Sequence, residues 1–400
     1  MNLPPMTRKL TPVAIILMVL GIWQLWQQAP NLAAVSSDQW GMTDWLINYE
    51  GGFVRRGLGG FLLYHASQSW QIAANHLAVI VSVIGFLALL IWLCRKATEF
   101  FPLAFLFSCA VLGFPIYQFT IVRKDCILLL LLIACLTILR GEWKSWIQWS
   151  VVNLSCCCGV LLHETFAFIA FPAIVLTQQG MTFRMMGQRM FYLIPAFVCF
   201  VVVVFHHGDA STAQAIHDSW QGLWIQSNLS PEWLHQPFAT IQSIGWTTEQ
   251  GLLQTKGLLQ NGLYQPMAWF CVLLLTFMVS GRFLLARHQS KLAEWLQLLI
   301  FQLICVAPLF LLGIDYGRWI FLWIVSSMIL FSLGYRLPEG IAQHSVTQSF
   351  TNPLVLFISY LPRKEWLLLF VGLPILWGVM NFVNASPAGR FLWEMYSLTR

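Results

Sequence analysis

Long apolar runs separated by short polar segments make up most of this chain. Each run is close to the about 20 residues that a helix needs to cross the hydrocarbon core of a bilayer. The chain is therefore expected to be an all-α, polytopic integral membrane helical bundle, with 1–400 forming a single transmembrane domain. About eleven transmembrane helices are predicted, over 11–27, 75–94, 101–120, 125–140, 146–162, 165–180, 190–206, 266–283, 293–313, 318–335 and 365–383.

Basic residues set the expected orientation of these helices, because cytoplasmic loops are enriched in lysine and arginine. A cytoplasmic amino terminus places most of the 22 basic residues inside, namely Arg8, Lys9, Arg95, Lys96, Arg140, Lys144, Arg184, Arg189, Arg282, Arg287, Lys291, Arg336, Arg363 and Lys364. The outer loops then include 28–74 and 207–265, and 336–364 is predicted to be a cytoplasmic linker. Short amphipathic helices at the membrane interface are expected in the second outer loop, around Trp220, Trp224, Trp233 and Trp246.

Composition excludes several classes of protein. The chain is 58% hydrophobic and 10% charged, with a mean hydropathy of +0.69 and a formal net charge of +6. The positive charge follows the predicted topology, and no basic stripe with interleaved aromatic residues indicates nucleic-acid binding. All ten cysteines fall within or at the ends of apolar runs, so a disulfide framework is not expected. The three consecutive cysteines 156–158 are interpreted as small packing residues.

Charged residues gather in five short segments that the predicted topology places on one face of the membrane. Charges near lipid are unfavourable, so such clustering indicates a function. The segment 44–60 also holds five closely spaced glycines beside paired arginines, which is typical of a backbone that approaches an anionic group. The five segments are 44–56, Arg123-Lys124-Asp125, His163-Glu164, 206–209 and Asp315 to Trp319.

These residue types suit the transfer of a phosphate-linked group. Guanidinium groups match phosphate oxygens, so a phosphate or diphosphate is expected to bind Arg55 and Arg56 together with Arg123, Lys124 or Arg318. Asp44 or Glu50 is the candidate general base that takes a proton from a sugar hydroxyl. His163 or Glu164 shares that role or orients the acceptor, and Asp315 completes the candidate binding residues.

Structural roles are the alternative for each segment. Asp44 is alternatively a helix cap, and Arg55 with Arg56 alternatively reaches toward lipid headgroups. The segments at 123–125 and 163–164 are alternatively self-neutralising, and Asp315 with Arg318 alternatively forms an internal ion pair. A divalent metal is a further alternative, bound by His206, His207 and Asp209 with Glu164. Adjacent histidines do not match ordinary helical zinc sites, so no cofactor is expected.

The motif Tyr49-Glu50-Gly51-Gly52-Phe53-Val54-Arg55-Arg56-Gly57-Leu58 resembles one found in multispanning proteins encoded with bacterial surface-polysaccharide genes. The overall plan is similar to the GT-C glycosyltransferases and the O-antigen polymerases. The GT-C resemblance implies a catalytic acid in the first outer loop, at Asp44 or Glu50, and polyprenyl-phosphate sugar donors. The polymerase resemblance implies a polyprenyl-diphosphate glycan held by outer-face arginines and a histidine-bearing loop, which maps onto Arg55, Arg56, Arg123, Arg318 and 206–207.

The expected function is glycan transfer at the periplasmic face of a bacterial inner membrane, from polyprenyl-linked donors. Polymerisation of surface-polysaccharide repeat units is favoured, with a GT-C-type single-sugar transferase as the alternative. A transporter or flippase is the competing class, but its charges usually lie at mid-membrane on broken helices. The expected partners are a polyprenyl-linked glycan donor, a glycan acceptor, membrane lipids and a polysaccharide assembly complex, with no nucleic acid.

Overall fold

The computed structural model describes residues 10–35, 40–176, 182–221, 236–261, 265–285, 288–361, 364–374 and 384–398, and every regular element in these ranges is a helix. The all-α prediction is thereby confirmed. The α-helices are α1 Pro12–Gln28, α2 Trp40–Asp44, α3 Gly57–Trp70, α4 Ala74–Lys96, α5 Leu103–Leu106, α6 Gly113–Tyr117, α7 Asp125–Arg140, α8 Ser145–Leu162, α9 Thr165–Leu176, α10 Phe183–Tyr192, α11 Ile194–Phe205, α12 Ala210–Ser219, α13 Ala239–Gln242, α14 Thr248–Gln260, α15 Pro266–Leu285, α16 Leu292–Leu312, α17 Tyr316–Ser332, α18 Glu339–Ala342, α19 Ser345–Tyr360 and α20 Pro387–Leu398. Short 3-10 helices cover Ala29–Asn31, Ala97–Glu99, Ser243–Gly245, Gln289–Lys291 and Glu365–Leu369.

Five helical segments of the described chain are long and apolar enough to cross a membrane. They coincide with α1, α4, α8, α15 and α16. Helices α10 and α11 meet at a bend of 55° and together add a sixth candidate. The shorter apolar helices α9 and α17 fall below the length of these spans.

Several predicted spans and loops differ from the observed helices. The run 101–120 is not one helix but α5 and α6 joined by irregular, mostly buried backbone. A Cβ on Gly113 would lie 2.7 Å from the Phe107 carbonyl oxygen, because the chain folds back on itself there. The segment predicted as a linker, 336–364, contains the 16-residue helix α19, which packs against α15 and α16. The predicted span 365–383 begins with a 3-10 turn, and its part from 375 to 383 lies outside the described residues.

Helix α17 lies at the centre of the bundle. All its residues from Gly317 to Phe331 are buried, and it packs against α7, α9 and α16. Polar side chains fix it to α16: Trp323 Nε1 donates to the Leu299 carbonyl at 2.7 Å, and Gln302 Nε2 donates to Ser326 Oγ at 2.9 Å. The amino-terminal end of α17 carries Arg318.

The first outer loop leads into α3, a helix within the predicted loop 28–74. Its glycines permit close packing, because a Cβ on Gly60 would lie 2.1 Å from the Ile47 carbonyl oxygen. Arg56 adopts a left-handed backbone conformation, with φ of 64°, immediately before α3 begins. The loop that precedes α3 is therefore held tightly against it.

The second predicted outer loop contains the short helices α12, α13 and α14, as short helices were expected there. Helices α12 and α13 pack against the first predicted outer loop, and α14 packs against α16. Trp220 is buried and donates from Nε1 to the Leu46 carbonyl at 2.8 Å, so it packs inside the protein rather than at a membrane interface. Thr43 and Thr240 share a hydrogen bond of 2.7 Å between their hydroxyls. Trp224 and Trp233 lie outside the described residues.

Candidate functional site

Asp44, the last residue of α2, lies between two cations. Lys124 Nζ is 3.0 Å from Asp44 Oδ2, and Arg56 Nη1 is 3.6 Å from Asp44 Oδ1. Lys124 also donates to the backbone carbonyls of Asp44, at 2.9 Å, and Arg56, at 3.3 Å. The buried lysine at the start of α7 thus holds α2 and the entry to α3 together.

Arg56 and Glu164 form a two-pronged pair between the first outer loop and the turn from α8 to α9. Arg56 Nε donates to both carboxylate oxygens, at 2.9 and 3.1 Å, and Nη2 also bonds Oε1. His163 Nδ1 lies 3.4 Å from Glu164 Oε2 and accepts the backbone N–H of Thr165 at 3.3 Å. The Thr165 N–H favours the neutral tautomer that carries its proton on Nε2.

A second group of charges joins the starts of α7 and α17. Arg318 Nε contacts the two oxygens of Asp125 at 2.9 and 2.8 Å, and Nη2 donates to Oδ1 at 2.6 Å. Arg123 Nη1 donates to Asp315 Oδ2 at 2.8 Å, and Arg318 Nη1 lies 3.6 Å from the same oxygen. We call Arg123, Asp125, Asp315 and Arg318 the charge ring.

Arg55 differs from the other cations of the site. Its Nη2 donates to the carbonyls of Ser243, at 2.6 Å, and Trp246, at 3.3 Å, while its buried Nε makes no hydrogen bond. No carboxylate of the described chain lies within 4.0 Å of it. The site therefore combines five cations with four carboxylates, namely Arg55, Arg56, Arg123, Lys124 and Arg318 with Asp44, Asp125, Glu164 and Asp315.

The surrounding charges keep Asp44 and Glu164 ionised. Burial alone would raise the pKa of Asp44, but attraction by Lys124 and Arg56 outweighs burial and holds this pKa well below its usual range. Burial is likewise outweighed at Glu164, mainly by Arg56, so its pKa is also lowered strongly. Burial, reinforced by the Arg56 charge, lowers the pKa of His163 well below its ordinary value, so the imidazole is neutral.

Other predicted residues lie apart from these contacts. Glu50 is exposed and forms no ion pair among the described residues, so the structure does not join it to Asp44. His206 and His207 are exposed as well. Asp209 caps α12, accepting the Thr212 N–H at 2.8 Å, and this hydrogen bond contributes most to lowering the Asp209 pKa to about 2.

Within the described ranges no group of three or more His, Cys, Asp or Glu side chains could hold a metal ion. The alternative site formed by His206, His207, Asp209 and Glu164 is thus not assembled.

Two residues of the site, Asp125 and Trp45, were not among the predicted catalytic or binding residues. Asp125 is the main partner of Arg318, although its position next to two basic residues suggested only local neutralisation. Trp45 donates from Nε1 to the Val122 carbonyl, and Lys124 Nζ lies 5.4 Å from its ring centroid. The one feature of the sequence that could have indicated a role for Trp45 is its position directly after Asp44.

The site offers an ionised carboxylate on Asp44, a neutral imidazole on His163, and a cation, Arg55, that has no carboxylate partner among the described residues. Such a set can bind an anion and accept a proton from a hydroxyl. No protein-family model, curated protein or solved structure matches the chain.

Proposed function

We propose that the protein transfers glycan from a polyprenyl-phosphate or polyprenyl-diphosphate donor to a glycan acceptor. In this proposal the chain lies in a bacterial inner membrane and crosses it eleven times. Its amino terminus is cytoplasmic, and its site is on the periplasmic face. Repeat-unit polymerisation of a surface polysaccharide is the favoured form of the reaction. The cation-rich cluster between the first outer loop, the start of α7 and the turn after α8 supports the proposal.

The environment of Asp44 is the observation that carries the proposal. Its Oδ2 contacts Lys124, but its buried Oδ1 makes no hydrogen bond and lies 3.6 Å from Arg56. A buried polar atom without a hydrogen bond is unfavourable, and a catalytic role would account for it here. An ionised carboxylate with an oxygen that makes no hydrogen bond can accept the hydroxyl proton of a sugar when the acceptor binds beside it.

Donor binding would tune the basicity of Asp44. In the free protein Lys124 and Arg56 keep this carboxylate a weak base, because they hold its pKa low. A donor phosphate that first meets Arg55 brings negative charge toward Arg56 and offsets the attraction that Asp44 feels. The pKa of Asp44 then rises, so the base becomes effective only when the donor is present.

The reaction follows from these roles. As the acceptor hydroxyl oxygen forms a bond to the anomeric carbon, its proton passes to Asp44 Oδ1. The bond between that carbon and the donor phosphate oxygen breaks, and Arg55 and Arg56 stabilise the departing phosphate. Glu164 fixes the orientation of the Arg56 guanidinium, and His163 can donate from Nε2 to the acceptor. The charge ring of Arg123, Asp125, Asp315 and Arg318 holds α7 and α17 in place around these groups.

The test compares surface-polysaccharide length profiles of a deletion strain complemented with wild type, Asp44→Asn or Arg55→Ala at equal membrane levels. We expect deletion to collapse the ladder to single units and both variants to fail to restore it. Glu50→Gln is the matched control, because this exposed carboxylate lies outside the cluster, and it should restore the ladder. Loss of one sugar throughout would instead indicate a single-sugar transferase, and an unchanged glycan would refute glycan transfer.

A further inference from the structure

Seven aromatic rings form a continuous chain beside the charged cluster. They come from the first outer loop, α3 and the two ends of the connection that contains α12. Neighbouring ring centroids are 4.4–5.6 Å apart. We call this set the aromatic strip; in spatial order its members are His206, Phe53, Tyr49, Phe61, His65, Tyr64 and Trp220.

The strip adjoins the two arginines of the first outer loop. The Tyr49 ring lies directly on Gly57, where a Cβ would be 2.1 Å from Tyr49 Cε1, and Gly57 follows Arg56 in the chain. At the other side the backbone N–H of Arg55 donates to the His206 carbonyl at 3.3 Å. A group attached to a phosphate at Arg55 and Arg56 would therefore meet the rings of the strip first.

The accessible part of the strip is both aromatic and polar. Phe53 is 44% exposed, and His65 and His206 are exposed as well, while Trp220 is buried beneath Tyr64. Aromatic faces carry partial negative charge and attract the polarised C–H groups of a sugar ring. The imidazole edges of the two histidines can bond sugar hydroxyls.

A hydrocarbon ligand fits these groups poorly. Burying an imidazole against an isoprenoid chain would remove water from its nitrogens without replacing the hydrogen bonds. A glycan satisfies both requirements, because one face of its ring is apolar and its rim carries hydroxyls. We propose that the aromatic strip is a carbohydrate-binding subsite for the glycan portion of the lipid-linked substrate, an inference that rests on the proposed function.

Binding measurements on the full chain in lipid nanodiscs test this subsite. One probe is the lipid-linked oligosaccharide extracted from the deletion strain, and the other is polyprenyl diphosphate without sugar. The double variant Phe53→Leu/Phe61→Leu removes two aromatic faces but keeps apolar bulk. Arg55→Ala reports on the phosphate, and Trp146→Leu is the control, because Trp146 is 69% exposed at the opposite end of α8 from His163.

We expect the double leucine variant to weaken binding of the glycan probe about tenfold, since each aromatic contact contributes modestly. Its binding of the sugar-free probe should stay within about twofold of wild type, which also shows that the variant is folded. Arg55→Ala should weaken both probes, and Trp146→Leu neither.

Two results would overturn the subsite while leaving the proposed function in place. One is unchanged glycan binding by the double leucine variant when Arg55→Ala weakens both probes. The other is equal weakening of both probes by the double variant, which would assign the strip to the carrier lipid. Failure of the wild-type protein to bind either probe would instead refute the proposed function, and the subsite with it.

Discussion

Removing the carboxylate of Asp125 should strongly destabilise the protein. Asp125 and Arg318 have side chains only 5% and 6% exposed, and three contacts of 2.6–2.9 Å join them. Asp125→Ala leaves the guanidinium buried without its main partner, and breaking such a pair costs about 3–5 kcal/mol. Asp315, 3.6 Å from Arg318, still offsets part of the charge, so we expect about 3 kcal/mol.

Thermal unfolding of the purified protein in detergent measures this effect. A loss of about 3 kcal/mol corresponds to a Tm decrease of roughly 3–4 °C for a chain of 400 residues, because the entropy of unfolding grows with chain length. Glu142→Ala is the control, because Glu142 is exposed at the opposite end of α7, and its Tm should stay within about 1 °C of wild type. The double variant Asp125→Leu/Arg318→Met removes both charges and should recover most of the lost stability.

Equal Tm values for Asp125→Ala and Glu142→Ala would show that the Asp125–Arg318 pair does not stabilise the fold. A double variant less stable than Asp125→Ala alone would show that the loss of stability does not arise from the uncompensated Arg318 charge.

Three further predictions concern the first outer loop. Because the pKa of Asp44 is lower in the folded than in the unfolded protein, its ionised form stabilises the fold fully above about pH 5, and this contribution is lost as the pH falls below about 4. In a plot of Tm against pH, Asp44→Asn should therefore show a shallower decrease at acid pH than wild type. Gly60→Ala should lower the Tm, because its Cβ would lie 2.1 Å from the Ile47 carbonyl oxygen. Gly257→Ala, where a Cβ would have no atom within 4 Å, should instead stabilise α14 by up to about 1 kcal/mol. Equal changes in Tm for the two variants would contradict the observed packing. Arg56→Lys keeps the charge but loses the fork to Glu164, so it should shorten the polysaccharide ladder at normal protein level, and a wild-type ladder would show that the fork is dispensable.

The sequence predicted that five charged segments share one face of the membrane, because polar segments between apolar runs of the same parity lie on one side in the eleven-span topology. Ion pairs bring four of the five segments together, joining Asp44 with Lys124, Arg56 with Glu164 and Arg123 with Asp315. The choice of partners was not predictable. Residues 123–125 are consecutive at the start of α7, where successive side chains point in directions about 100° apart, so each meets a different element.

Hydropathy also failed to separate membrane-crossing helices from buried irregular chain. The run 101–120 is apolar because protein surrounds it, and irregular backbone is tolerated at membrane depth under that condition. Conversely, α3 begins with Gly57, Gly59 and Gly60, which disfavour a helix in isolation. Contact with the carbonyls of Trp45 and Ile47 compensates for that preference, and such contact is invisible in the sequence.

The central place of α17 has a consequence for biogenesis. Synthesis proceeds from the amino terminus, so α7 is made long before Asp315 and Arg318 exist. Until then Arg123 and Asp125 lack the partners that they have in the finished protein. The segment that begins α17 supplies both partners. A chain halted before residue 315 therefore leaves these two side chains without them, and such an incomplete copy should be less stable, and so more readily degraded, than the finished protein.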